Sequence, residues 1–68
     1  MKNNVKVIRK DKGLTQEKLA ELLNVSRQTI ISIESSRYVP STMLSLKIAK
    51  YLSKRVEELF ELEQKDFD

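Results

Sequence analysis

Sixty-eight residues, 40% apolar and 34% charged, give a chain near the lower limit at which one domain folds without disulfides or a metal. Cysteine and histidine are both absent, which removes the usual zinc ligands, the thiol nucleophile and the imidazole base, so neither a metal nor a cofactor is expected. The net charge of +3 is uneven: residues 1–40 carry eight basic and four acidic side chains, residues 41–68 five and six. No apolar run approaches the ~20 residues of a bilayer span, and MKNNVKV lacks a signal-peptide core, so a cytoplasmic location away from any membrane is expected.

A single Gly and a single Pro leave few tight turns and favour an all-α reading of residues 1–68 as one domain. The first helix is expected from about Asn4 to Lys12, with Val5 and Ile8 inward, and Gly13 stops it. Thr15 caps a second helix, Gln16 to about Leu23, whose inner face is Leu19, Ala20 and Leu23. Asn24-Val25 makes a corner, Asn24 being the non-glycine residue that best tolerates positive φ. Ser26 caps a third helix from Arg27 to about Glu34, with Val25 and Ile30 spaced as a hydrophobic staple. Two helices crossing at roughly 90–120° over a turn of ~3–4 residues form a helix-turn-helix, here residues 16–35, and Ala20 supplies the small residue at the crossing.

After the loop 35–40, Ser41 caps a fourth helix reaching about Leu52, with Leu44, Ser45, Ile48, Ala49 and Leu52 inward. A short fifth helix, about Val56 to Phe60, closes the core with Val56, Leu59 and Phe60. The tail 61–68 alternates weakly and suits either a short strand or an unstructured end.

At ~100° per residue, Ile30 and Ile33 of the third helix face inward while Arg27, Gln28, Ile31 and Ser32 cluster outward. Arg pairs with guanine and Gln with adenine in the major groove, and an exposed isoleucine has a partner in the thymine methyl. These four are the candidate base contacts. Gln16 opens a helix whose unpaired N–H groups favour a phosphate. Ser26, Ser35, Arg37 and Tyr38 flank the third helix at the height of adjoining phosphates. Arg9 is a further phosphate candidate, and an ion pair with Glu34 would orient it or simply bridge the helices.

These segments resemble the Cro/C1-type helix-turn-helix family of phage-repressor-like regulators. The likeness runs through GLTQEKLAELLNVSRQTIISIE, SSRYVPS, KIAKYL and VEELF, about residues 4–60, and is nearest to the short stand-alone members similar to the cytolysin repressor. It implies a five-helix, lambda-repressor-like fold that binds an inverted-repeat operator in double-stranded DNA as a homodimer. On that pattern Gln16 matches the phosphate-contacting glutamine, Arg27, Gln28 and Ser32 fall on base-reading positions, and Arg9 with Glu34 matches the interhelical pair. Three departures stand out. Ser35-Ser36 replaces a common Asn-Gly, so that either Ser36 holds a left-handed conformation at some cost or the loop takes another course; Thr42 replaces an apolar residue; and Arg55 replaces the usual cap of the fifth helix.

A lone domain reads few base pairs, so two copies on half-sites ~34–36 Å apart are expected. Leu59, Phe60 and Leu62 are the interface candidates, with Phe67 further along the tail. In short members the two chain ends can pair as strands, although MKNN is barely long enough. Repression is the expected sign of regulation, with no small-molecule ligand and with control by a partner protein left open. An antitoxin or a restriction-system controller acting on its own operon would fold alike. A protein-interaction module that had lost DNA affinity predicts an acidic or bulky outer face, unlike Arg27, Gln28 and Ser32. An enzyme is not expected: Glu57 and Glu58, the adjacent carboxylates, sit about 100° apart on a turn without a pocket.

Overall fold

Four helices of this protein end the same way, and those ends set its shape. A computed structural model describes all 68 residues. It gives helices α1 (Val5–Asp11), α2 (Gln16–Leu23), α3 (Arg27–Glu34), α4 (Thr42–Leu52) and α5 (Val56–Leu59). After each of the first four, one residue takes the left-handed conformation: Gly13 (φ 71°), Asn24 (57°), Ser36 (63°) and Ser53 (55°). The same two bonds close every turn. After α2, Val25 N–H donates to the Ala20 carbonyl at 3.0 Å and Asn24 N–H to that of Glu21 at 3.2 Å. Leu14 with Arg9, Arg37 with Ser32 and Lys54 with Ala49 repeat the longer bond. This is the Schellman motif, which satisfies carbonyls the helix leaves open.

The helix starts are as regular. Thr15 Oγ1 accepts from Lys18 N–H at 3.0 Å, Ser26 Oγ from Thr29 N–H at 3.1 Å and Ser41 Oγ from Leu44 N–H at 3.1 Å. Arg55 has no acceptor to offer α5, but the helix supplies its own: the Glu58 carboxylate accepts from Arg55 N–H at 2.9 Å. That is the returning half of a capping box, and it compensates for the unusual residue at this cap.

The core is formed by Val5, Leu19, Leu23, Ile30, Ile33, Ile48, Leu52 and Leu59, each at 2% exposure or less, with Ala20 and Ala49 where backbones approach. α5 is one residue shorter than its sequence suggests, because Phe60 leaves the helix for a strand. β1 (Lys2–Asn3) and β2 (Phe60–Glu61) pair antiparallel, with Lys2 opposite Glu61 and Asn3 opposite Phe60. The four-residue N-terminus is therefore long enough. Asn3 secures it: its amide donates to the Ile33 carbonyl at 2.8 Å, beside the end of α3. The tail beyond β2 is neither a longer strand nor unstructured but a 3-10 turn, Gln64–Phe67. The Met1 ammonium holds it through Glu63 (2.9 Å) and Asp66 (3.2 Å).

Candidate nucleic-acid interface

Ile30 and Ile33, each 1% exposed, fix the rotation of α3 about its axis. Arg27 and Gln28 are consequently exposed at its first turn. Ile31 and Ser32 are more covered than their place on the helix suggests, being half-buried. Ile31 lies in a shallow hollow with Lys6, Gln16, Glu34 and Ser35. Ser32 is overhung by the returning loop: its carbonyl accepts from Arg37 N–H at 2.9 Å, Tyr38 N–H at 3.2 Å and Ser35 Oγ–H at 3.2 Å. Those bonds also fix Arg37 and Tyr38, both exposed, just beyond α3.

Two hollows flank the exposed strip of α3. On one side Lys6, Lys10, Gln16 and Arg27 line a concavity of about 500 Å³ with no apolar residue in its wall. The amides of Gln16 and Glu17 at the start of α2 have no partner within the protein, and that helix end carries partial positive charge. On the other side Gln28 and Ser32 share a smaller hollow with Ser26, Thr29 and Tyr38. The Ser26 hydroxyl is committed to capping α3 and lies 2.9 Å from the Thr29 hydroxyl.

Arg9 does not belong to this surface as a phosphate contact. It is 5% exposed. Its Nε donates to Glu34 Oε2 at 2.6 Å, Nη2 to Glu34 Oε1 at 3.3 Å and Nη1 to the Leu14 carbonyl at 2.7 Å. A carboxylate as buried as that of Glu34 requires a counter-ion, and Arg9 is spent in that role. Arg9 and Glu17 also line the hollow, but with Arg9 neutralised by Glu34 the positive charge comes from Lys6, Lys10 and Arg27, set against the single carboxylate of Glu17. The two lysines were not among the candidates drawn from sequence. Their spacing of four places them on one face of α1, and the turn from α1 into α2 sets that face beside Gln16.

The self-association candidates also need revision. Leu59 is 0% exposed, a core residue with no surface for a second copy. Phe60 is half-buried, while Leu62 is 60% and Phe67 71% exposed. Phe60 forms part of an apolar groove with Val39, Pro40, Leu46 and Val56, edged by Glu57. Of its residues, Val39 (65%) and Leu46 (58%) are widely exposed.

Comparisons with known proteins agree with this architecture. A helix-turn-helix family model matches residues 5–59. An uncharacterized HTH-type transcriptional regulator of Bacillus subtilis, YgzD, is 48% identical over 66 residues, which is 97% of this chain and 100% of that one. Another from Methanocaldococcus jannaschii is 52% identical over 60 residues, 88% of this chain and 91% of its own. The crystal structure of a transcriptional regulator from Listeria innocua superposes with a TM-score of 0.77 at 25% identity. That alignment takes in 94% of this chain but 64% of the Listeria protein. On the strength of the matched motif and of relatives aligned along nine-tenths or more of their length, this chain belongs to the Cro/C1-type helix-turn-helix family of transcriptional regulators.

Proposed function

We propose that this protein is a sequence-specific regulator that binds an inverted-repeat operator in double-stranded DNA as a homodimer, with α3 in the major groove. The observation that carries the reading is the pairing of exposed Arg27 and Gln28 at the first turn of α3 with a basic hollow beside them. Arg27, Gln28, Ile31 and Ser32 meet base edges, Arg27 by a bidentate pair with guanine and Ile31 through its accessible methyl groups. Phosphates are met by Gln16 and the open amides of α2, by Lys6, Lys10 and Ser35 on one flank, and by Arg37 and Tyr38 on the other. The apolar groove around Leu46 and Phe60 is the dimer contact. A second copy there supplies the second half-site, because a two-fold operator mirrors a two-fold protein. An occupied operator excludes other proteins from the same stretch of DNA, so repression is the sign of regulation we assign. The protein works in the cytoplasm, at the nucleoid.

Selection of bound duplexes from a random library, repeated at two salt concentrations, tests this directly. The expected winners are palindromic, with half-sites one helical turn apart and affinity that falls steeply with salt. Absence of any enriched sequence at low ionic strength would remove the assignment. For the dimer contact, Leu46→Glu is expected to convert a sedimenting dimer to monomer and to abolish two-fold site binding. An unchanged dimer would move the contact elsewhere.

A further inference from the structure

The Glu34 carboxylate has more than one partner. Besides Arg9 it accepts from Gln16 Nε2 at 3.0 Å on Oε1, the oxygen that Arg9 Nη2 also reaches. One carboxylate, its side chain 4% exposed, therefore joins α1, the start of α2 and the end of α3. We infer that Glu34 is a positioning residue for DNA binding, which holds the Gln16 amide in the one orientation that presents a donor to a phosphate. The inference rests on the DNA-binding reading above and adds to it a residue that touches no DNA.

The orientation follows from hydrogen-bond chemistry. An ionised carboxylate only accepts, so the nitrogen of the Gln16 amide must face it. One Nε2–H is consumed by Glu34 and the other remains for an outside acceptor. The amide nitrogen is thus anchored at the wall of the basic hollow, beside Lys6 and Arg27 and next to the open amides of α2. Without Glu34 the carboxamide is free to flip, and its rotamers are ordered only when a phosphate arrives. Ordering a glutamine side chain on binding reduces affinity, and fixing it beforehand avoids that loss. The tie also sets register. Because the same carboxylate sits on the last residue of α3, the phosphate anchor at α2 and the base-reading strip are held at one separation.

A mutant cycle on affinity for a duplex selected from the random library separates positioning from mere stability. Arg9→Met with Glu34→Met replaces the buried ion pair by apolar side chains, a change that typically leaves folding intact; a cooperative thermal transition verifies it. In the wild-type background Gln16→Ala is expected to weaken binding about tenfold, as for a charge-assisted hydrogen bond. In the doubly substituted background the same change is expected to cost less than about threefold, its orienting partner being gone. An equal factor in both backgrounds overturns the inference. Side-chain amide relaxation by NMR gives an independent readout on the unmodified protein. The Gln16 NH2 group is expected to be rigid where those of Gln28 and Gln64, both exposed, are mobile. Equal mobility of all three also overturns it. Wild-type protein that binds no duplex at all would instead defeat the DNA-binding reading, a result the amide relaxation distinguishes.

Discussion

Removing the Glu34 carboxylate alone is the sharpest perturbation the structure offers. In Glu34→Ala the Arg9 guanidinium, its side chain 6% exposed, keeps the Leu14 carbonyl and loses both bonds to its counter-ion. Breaking a buried pair from one side costs about 3–5 kcal/mol, because the remaining charge is stranded. At roughly 0.05–0.15 kcal/mol per residue, a chain of this length holds about 3–10 kcal/mol in total. The variant is therefore expected to lose a third or more of its stability. In a domain of this size each kcal/mol moves the melting temperature by roughly 4–8 °C, so a fall of at least ~12 °C is expected by thermal denaturation. Arg9→Met with Glu34→Met should melt near the wild type, since neither charge is then stranded. A Glu34→Ala loss below about 1 kcal/mol would refute the reasoning. Such a loss is typical of an exposed pair, and would mean that water reaches Arg9 readily.

Other outcomes follow from the same geometry. Ser53→Gly relieves a left-handed serine whose hydroxyl makes no hydrogen bond, and is expected to stabilise by about 0.5–1 kcal/mol in urea titrations; no gain would mean that Ser53 carries little strain. Arg27→Ala should weaken binding by ~1–3 kcal/mol and relax preference at one base step, whereas uniform weakening across duplexes would make Arg27 a phosphate contact. Arg37→Ala should lower affinity evenly and reduce the salt slope by ~1; an unchanged slope removes Arg37 from the phosphate contacts. The tail clamp should depend on pH at both ends. The hydrogen bond it donates to the Glu63 carboxylate raises the Met1 ammonium above its ordinary 8.0, so its contribution is complete below about pH 8 and lost as pH climbs through the raised value. The Met1 ammonium lowers Glu63 from 4.5, and the Glu63 backbone N–H lowers Asp66 from 3.8. Their contributions are present above those values and disappear as pH falls through the lowered ones. Amide exchange at residues 64–67 is therefore expected to be slowest, relative to intrinsic rates, between about pH 5 and 8; a flat profile would exclude the clamp.

What was legible in the sequence was chemistry confined to one turn. Thr15, Ser26 and Ser41 announce their helices because a cap needs only a hydroxyl and an N–H three residues on. Asn24 announces the corner because few residues take positive φ cheaply. Ser53 takes the same conformation without any such signal, since serine is an ordinary residue there. The β1–β2 pair was hard to foresee because two residues per strand leave no alternating pattern. The one-residue shift at the end of α5 decided which side chain faced out, leaving Leu59 inside and Phe60 on the groove. On the outer side of α3, helical spacing foresaw the exposure of Arg27 and Gln28 but not the half-burial of Ile31 and Ser32. The pairing of Arg9 with Glu34 was readable, yet the depth of its burial was not. Lys6 and Lys10 join Gln16 through the way α1 turns into α2, an arrangement that spacing along either helix does not reveal.

An NMR titration of the wild-type protein with its selected duplex would locate the face of the protein that meets DNA. The largest backbone and side-chain shifts are expected at Arg27, Gln28, Ile31 and Ser32, with a second group at Lys6, Lys10 and Gln16. Shifts confined to the groove of Val39, Leu46 and Phe60, with the α3 strip unmoved, would contradict the placement of α3 in the major groove.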